Sequence, residues 1–190
     1  MLRIEEYLRR HPIANNKYRL KVGEGRSQTI GIVGKRCMAP DISRTTWNSP
    51  LLFSLLMEWA SENVPIPFTS IQINDNYHCV PHYDKGNIGD SYIIGFGDYT
   101  GGELKLWDTG ELVDIRNGFV FNGSERKHST EPWVGRRFSL VFHTVKTDKS
   151  LEDYLVKEID GKYWVYDILN DAYYRGNIGL PHPLKGRKVP

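Results

Sequence analysis

Alternation of apolar and polar side chains runs through the middle of this sequence and predicts β-strands. In the clearest case, residues 136–143, every second side chain is large and apolar. Because successive side chains of a strand point to opposite faces, the other face would carry Arg137, Ser139 and Val141. This strand would therefore bury one face and present a cation and a hydroxyl group on the other.

Several shorter strands precede it, separated by turns that contain glycine. The predicted turns lie at residues 98–102, 108–110 and 117–118. The predicted strands lie between and before these turns, at residues 68–73, 92–97, 103–107, 111–115 and 118–122. Short strands at such even spacing imply an all-β barrel or sandwich core.

Two hairpins are predicted outside this central region. Residues 17–33 would form the first hairpin, with its turn at residues 23–26. Residues 154–168 would form the second hairpin around Asp160-Gly161, a favoured dipeptide for a two-residue turn. The second hairpin is rich in aromatic side chains, which either pack it onto the core or stack on the bases of a nucleic acid.

Two helices are predicted in the first third of the chain. Leu2–Arg10 carries a nearly complete apolar stripe and ends before a proline. The second helix would begin with Asn48 or Ser49 as its N-cap and a proline at its first position, and it has a broad apolar face between residues 51 and 59. Residues 39–47 lack any periodicity and are predicted as a loop.

The composition is that of one folded domain inside a cell. A chain of 190 residues can bury a sizeable core and does not need a second domain. No apolar run is long enough to span a bilayer, and no secretory leader is recognisable in the first residues. Because two cysteines make no disulfide framework, we expect an intracellular protein of the cytoplasm, the nucleus or a host cell.

Basic residues are concentrated towards the two ends of the sequence. The formal net charge is only +2, but residues 1–40 hold nine Lys and Arg against three acids, and residues 172–190 hold four Lys and Arg and no acid. Basic flanks around a more acidic centre suit a polyanionic partner such as nucleic acid. The alternative is a solvated surface with a solubilising tail.

Three residues in the centre are candidate metal ligands. His82 and Asp84 are two positions apart, so on a predicted β-strand both side chains point to one spot, and His128 would come from a segment distant in sequence. Two neutral imidazoles and one carboxylate leave coordination positions open, as non-haem Fe(II) oxygenases require. A closed structural zinc site prefers four ligands, usually thiolates, and the chain has only Cys37 and Cys79.

A second candidate site lies on the strand at residues 136–143. The guanidinium group of Arg137 and the hydroxyl group of Ser139 would lie on the same face, two positions apart. Such a pair can hold a carboxylate by charge-assisted hydrogen bonds. The sequence therefore predicts an anchor for a dicarboxylate near the candidate metal ligands.

Taken together, these motifs resemble the signature of the Fe(II)/2-oxoglutarate-dependent dioxygenases. The match extends from Ile71 to Val145, and residues 87–91 and 97–104 are similar to the same region in the prolyl hydroxylases and the TET/JBP group. The resemblance implies a mainly β fold with supporting helices around a double-stranded β-helix core of the jelly-roll or cupin-like type. That core would cover residues 66–146 of a single domain 1–190.

The remaining segments would flank this core. Residues 1–65 would supply the N-terminal helix, a hairpin and a helix that supports the larger sheet, and residues 147–190 would form an appendage. In related oxygenases an Asn or Tyr just upstream of the metal-binding strand often contacts the co-substrate. Asn74, Asn76 and Tyr77 are the candidates for that contact here.

The resemblance also implies a reaction. His82, Asp84 and His128 would hold Fe(II), which would bind the keto-acid end of 2-oxoglutarate, while Arg137 and Ser139 would bind its other carboxylate. Reaction with O2 would give succinate and CO2 and would hydroxylate a C–H bond of the substrate.

The substrate is open among several classes. A modified nucleobase, 5-methylcytosine or thymine, fits the basic flanks and the TET/JBP likeness, and reaction within a duplex would require base flipping. The alternatives are a protein side-chain hydroxylase of the prolyl type and a small-molecule oxygenase. A β-helix module that only binds a partner is a further alternative, which the joint presence of the triad and the carboxylate anchor disfavours.

Overall fold

The computed structural model describes residues 1–13, 22–35 and 38–174, which form three α-helices, two short 3-10 helices (Ile115–Asn117 and Leu151–Asp153) and twelve strands. The helices are α1 (Leu2–Arg10), α2 (Arg44–Asn48) and α3 (Pro50–Asn63). The strands are β1 (Gly23–Lys35), β2 (Met38–Ile42), β3 (Ser70–Cys79), β4 (Ser91–Gly101), β5 (Leu104–Leu106), β6 (Leu112–Val113), β7 (Phe119–Phe121), β8 (His128–Thr130), β9 (Trp133–His143), β10 (Tyr154–Ile159), β11 (Lys162–Asp167) and β12 (Ala172–Tyr174). None of these helices is long and apolar enough to cross a membrane.

Two antiparallel sheets form the centre of the molecule. The larger sheet has the strand order β2-β1-β3-β9-β4-β7, and the smaller sheet has the order β6-β5-β8. Strands that follow one another in sequence often lie in different sheets, as in a jelly roll, and the two sheets enclose a cavity between them. The predicted mainly β, double-stranded β-helix fold with supporting helices is therefore confirmed.

The outer face of the larger sheet packs against α1 and α3. The side chains of Phe138, Leu140 and Phe142 on β9 are fully buried there, as the alternation predicted. Helix α3 has Pro50 at its first turn and contributes several fully buried residues, of which Leu56 is one. Removing such an apolar surface from water supplies most of the stability of a packed layer like this one.

Two sequence predictions near the N-terminus are wrong. Residues 39–47 are not a loop, because β2 pairs with β1 and the hydroxyl group of Ser43 caps α2 by accepting from the N–H of Thr46. Residues 23–26 are not a turn but the first part of β1, which pairs with β3. The first arm of the predicted hairpin, up to residue 21, lies outside the described residues.

Three predictions in the central region also need correction. Residues 98–101 are not a turn, because β4 stays paired with β9 as far as Gly101 opposite Trp133. His82 and Asp84 do not lie on a regular strand, because only His82 forms an isolated bridge, with His128. The predicted strand at residues 111–115 is reduced to two residues followed by a 3-10 turn.

The C-terminal hairpin forms as predicted around Asp160 and Gly161. Both residues have positive φ, 51° and 68°, as a type I′ turn requires. Tyr174 on β12 stacks on Trp47 with ring centroids 4.4 Å apart, and Tyr154 meets the edge of the same indole at 6.0 Å. These two aromatic side chains therefore pack the appendage onto the core, whereas the basic tail from residue 175 lies outside the described residues.

Candidate metal centre

Three potential ligand atoms converge between the two sheets. The Nε2 atom of His82 lies 3.4 Å from Oδ1 of Asp84, and the Nε2 atom of His128 lies 3.6 Å from Oδ2 of the same carboxylate. All three potential ligand atoms lie within 4.8 Å of one another. The structure therefore brings the three predicted ligands close enough together for a single metal ion to contact all of them.

Backbone carbonyl groups orient both imidazole rings. Nδ1 of His82 lies 2.7 Å from the carbonyl oxygen of Val80, and Nδ1 of His128 lies 2.9 Å from that of Arg126. A carbonyl oxygen only accepts, so each Nδ1 carries a proton and Nε2 is the ring atom that faces the site. A ring held in this orientation can bind a divalent metal through Nε2.

The backbone around the trio is fixed by hydrogen bonds. His82 and His128 exchange two N–H to carbonyl bonds of 3.0 Å, and the N–H of Asp84 donates to the carbonyl oxygen of Gly123 at 2.8 Å. A Cβ atom at Gly123 would lie 3.2 Å from Oδ2 of Asp84 and 3.3 Å from Cε1 of His128. Glycine at this position therefore keeps the space around the three ligands open.

Asp84 is held as a carboxylate. Burial by itself would raise its pKa, but hydrogen bonds and charge attraction from His128 and His82 outweigh that cost and lower the pKa well below its usual range. Two nitrogen donors and one ionised oxygen donor, with no fourth ligand grouped with them among the described residues, form a donor set that fits Fe(II) and leaves positions for other ligands.

The trio opens into a cavity of about 140 Å³ that extends to Arg137. The side chain of Arg137 is 2% exposed, and its Nε donates to the carbonyl oxygen of Gly102 at 3.1 Å. Its guanidinium carbon lies 5.6 Å from the ring centroids of both Tyr99 and Trp133. Burial lowers the pKa of Arg137, and no carboxylate among the described residues forms an ion pair with it.

A buried cation without a counter-ion is costly for a folded protein, because the loss of hydration is not offset by a charge partner. Arg137 also lines the cavity that holds the metal-ligand trio. The site therefore has the electrostatic character of a receptor for an anion that reaches towards the metal position.

The co-substrate candidates upstream of the trio fall on two different faces. Asn74 and Tyr77 line the cavity and are buried, whereas Asn76 is exposed and does not line it. The reason is a β-bulge, in which Asn76 and Tyr77 together lie opposite Gly25 of β1. Asn76 has φ 48°, and its Oδ1 accepts from the backbone N–H of Arg137 at 2.8 Å, so the structure gives it a backbone role instead of the predicted contact with the co-substrate.

Several cavity residues were not predicted from the sequence. Gln72, Asn87, Thr130 and His143 all line the cavity, although the sequence offered no signal for Gln72 or Thr130. His143 shares the alternation of Arg137 and Ser139 along β9, and that spacing could have identified it. His78, four positions before His82, is exposed and stacks on Trp133 with ring centroids 6.1 Å apart.

Comparisons with known proteins bear on the fold. The sequence itself matches no family model and no curated protein. Among solved structures, NgTET1 in complex with 5mC DNA has a TM-score of 0.51 at 17% identity, covering 76% of this chain and 68% of that one. An oxidoreductase of the 2OG-Fe(II) oxygenase family from Burkholderia pseudomallei has a TM-score of 0.50 at 15% identity, covering 75% of each chain.

Both neighbours share the fold predicted here from the sequence motifs. The chain therefore has the fold of the 2OG-Fe(II) oxygenases, and the resemblance stated from the sequence is confirmed at the level of the fold. In addition to the fold, the structure shows the His82, Asp84 and His128 trio as a candidate metal site.

Proposed function

We propose that this chain is an Fe(II)- and 2-oxoglutarate-dependent dioxygenase that hydroxylates a C–H bond. The observation that carries the proposal is the buried Arg137, which has no acidic partner among the described residues and lines the same cavity as His82, Asp84 and His128. A dicarboxylate that binds the metal with one end neutralises this cation with the other. A protein that only bound a metal would have no physical need for a buried arginine without an acidic partner in the same cavity.

Each side chain of the site has a distinct task in this reaction. His82 and His128 offer their Nε2 lone pairs and Asp84 offers its carboxylate, while Arg137 and Ser139 hold the distal carboxylate of 2-oxoglutarate. When bound, Fe(II) couples the oxidative decarboxylation of 2-oxoglutarate by O2 to the insertion of one oxygen atom into the substrate. Succinate and CO2 are the other products, so the atoms of both co-substrates are accounted for.

Four apolar side chains also line the cavity. They are those of Ile93, Leu104, Phe121 and Val141. Phe121 also meets the ring of His128 edge to face, with centroids 4.9 Å apart. These groups limit the entry of water, which would quench an oxidising centre and weaken the charge interactions at Arg137.

For the substrate we propose a modified nucleobase, 5-methylcytosine or thymine, in nucleic acid. The support is the likeness in fold to a TET protein solved in complex with 5mC DNA, together with the basic ends of the sequence. Three of the cations near the N-terminus form ion pairs within the protein: Arg3 with Glu58, Arg9 with Glu5 and Arg26 with Asp75.

Incubation with Fe(II), 2-oxoglutarate and defined substrate pools tests this function. Methylated DNA, RNA and peptide pools are each analysed by mass spectrometry for the gain of one oxygen atom. A product on DNA or RNA supports the nucleobase as substrate, and a product on peptides alone replaces it with a protein side chain. Succinate formation without any of these products would support the dioxygenase activity but exclude a nucleobase as the substrate. If the protein neither forms succinate nor binds the metal, the proposal of a dioxygenase is wrong.

A further inference from the structure

A row of polar side chains crosses three neighbouring strands on the cavity face of the larger sheet. Ser27 of β1, Asn74 of β3 and Ser139 of β9 lie directly opposite one another in the register. These three residues are 2%, 7% and 2% exposed, so their hydrogen bonds are made inside the protein or within the cavity. The hydroxyl of Ser27 donates to Oδ1 of Asn74 at 3.0 Å, and Nδ2 of Asn74 donates to Oγ of Ser139 at 3.1 Å.

The direction of these hydrogen bonds is set at the far end of the row, by Gln72. Its amide nitrogen lies 2.8 Å from the backbone carbonyl oxygen of Gln28, which can only accept, and its Oε1 accepts from the hydroxyl of Thr29 at 2.8 Å. Turning the amide group of Gln72 over would place Oε1 against the carbonyl oxygen of Gln28, and that hydrogen bond would be lost. Its second N–H is directed at Oγ of Ser27, 2.6 Å away.

The fixed amide of Gln72 determines the donor and acceptor of each further hydrogen bond in the row. Because Ser27 receives a hydrogen atom from Gln72, its own hydroxyl hydrogen goes to Oδ1 of Asn74. Asn74 must then present its amino group to Ser139, which accepts. The hydroxyl hydrogen of Ser139 is left over, and within the part of the chain that the structure describes no acceptor is recorded for it, although Ser139 lines the cavity beside Arg137.

We propose that Asn74 is a positioning residue for co-substrate binding, which acts by making Ser139 a dedicated hydrogen-bond donor. A serine hydroxyl normally rotates between donating and accepting. In this row the hydrogen of Ser139 is reserved for an acceptor in the cavity, and a carboxylate next to Arg137 is an acceptor of that kind. The inference rests on the proposed function, because the anion it serves is the distal carboxylate of 2-oxoglutarate.

The sharpest test is Asn74→Asp, which keeps the shape of the side chain but removes its donor. The new carboxylate can only accept, so the hydroxyl of Ser139 turns to donate to it and no longer points its hydrogen into the cavity. We expect the dissociation constant of 2-oxoglutarate, measured by anaerobic calorimetry with Fe(II) bound, to rise by about 10- to 100-fold. In succinate formation, KM for 2-oxoglutarate should rise while kcat stays within about twofold.

A double-mutant cycle separates this effect from simple charge repulsion. Asn74→Asp is measured again in a Ser139→Ala background, where no hydroxyl can be turned and only the repulsion between carboxylates remains. We expect Asn74→Asp to raise the dissociation constant of 2-oxoglutarate by a factor about tenfold or more smaller in the Ser139→Ala background than in the native background. Equal effects in the two backgrounds would show that Asn74 does not act through Ser139, and the inference would be wrong.

A remote pair of variants gives a second route if Asn74→Asp does not fold. Ser27→Ala removes the donor that orients Asn74, without touching the cavity, and should weaken 2-oxoglutarate binding by about threefold to tenfold. Ser27→Thr keeps the hydroxyl and should bind as the native protein does. Equal binding by both Ser27 variants would overturn the inference, whereas failure of the native protein itself to bind 2-oxoglutarate would overturn the proposed function.

Discussion

His82 and His128 face each other across an isolated backbone bridge, in which the N–H of each donates to the carbonyl oxygen of the other at 3.0 Å. Their rings lie with centroids 4.4 Å apart and at an interplanar angle of 54°. The bridge joins two segments that are separated by more than forty positions in sequence. It therefore holds the two nitrogen donors close together through the backbone.

Loss of the carboxylate ligand should abolish the reaction. Asp84→Ala removes the one anionic donor of the trio, and we expect Fe(II) affinity to fall by about 100-fold or more and succinate formation to stop. Metal content after gel filtration and succinate release measure the two effects. Asp90→Ala, an exposed acid a short distance along the same loop, is the matched control and should retain both properties. Unaltered turnover in Asp84→Ala would contradict the assignment.

Replacement of the buried cation should separate stability from function. Arg137→Met keeps most of the side-chain volume but removes a charge that has no ion-pair partner among the described residues. We expect the free energy of unfolding of the metal-free protein, from urea titration, to be unchanged or to rise by about 1 kcal/mol or more. The 2-oxoglutarate requirement should rise steeply, and a variant that used 2-oxoglutarate as well as the native protein would exclude Arg137 as the anchor.

Gly102 should control the placement of the same guanidinium group. A Cβ atom there would lie 2.8 Å from Cδ and Nε of Arg137, and the residue has φ 73°. Gly102→Ala should therefore both strain the backbone and displace Arg137, raising KM for 2-oxoglutarate by about tenfold or more. The carbonyl oxygen of residue 102, which accepts from Nε of Arg137, would move with the strained backbone.

Gly110→Ala is the control for that experiment. Gly110, in the turn after β5, has a similar φ of 75°, but a Cβ atom there would meet nothing within 4 Å. Both variants should lose about 1 kcal/mol of stability from the backbone strain alone. Only the Gly102 variant should alter the KM for 2-oxoglutarate, and an equal change in both would exclude the steric explanation.

The bulge in β3 should depend on the side chain of Asn76. Asn76→Ala removes the acceptor for the N–H of Arg137 and places alanine at φ 48°, which it tolerates poorly. We expect a loss of about 1–2 kcal/mol in the free energy of unfolding, measured by urea titration. Asn76→Asp keeps an acceptor and tolerates the same φ, so it should cost less, and equal losses in the two variants would argue against this role.

Much of the fold follows from local patterns that the sequence displays. The two faces of β9 are set by alternation, because the side-chain period of a strand is two wherever the strand is located. The turn at Asp160 and Gly161 is set by two residues that accept positive φ. The start of α3 is set by Pro50, which has no N–H to lose at the first helical position.

The candidate site could also be predicted in part from the sequence. The spacing of His82 and Asp84 places both side chains on one side of an extended segment, whether or not that segment is a regular strand. Arg137 and Ser139 share a face of β9 for the same reason, and the structure places both in the cavity. These residues could be named in advance because the chemistry of each motif depends on neighbours within two positions.

Tertiary structure alone decided which upstream residues reach the cavity. The bulge at Asn76 shifts the alternation of β3, so that Gln72 and Asn74 face the cavity before it and Tyr77 and Cys79 face the cavity after it. A bulge is a mismatch between two paired strands, here opposite Gly25 of β1, and neither strand's sequence signals it reliably.

The row of polar side chains from Gln72 to Ser139 was also decided by the tertiary structure, since its hydrogen bonds join strands that come together only when the sheet forms.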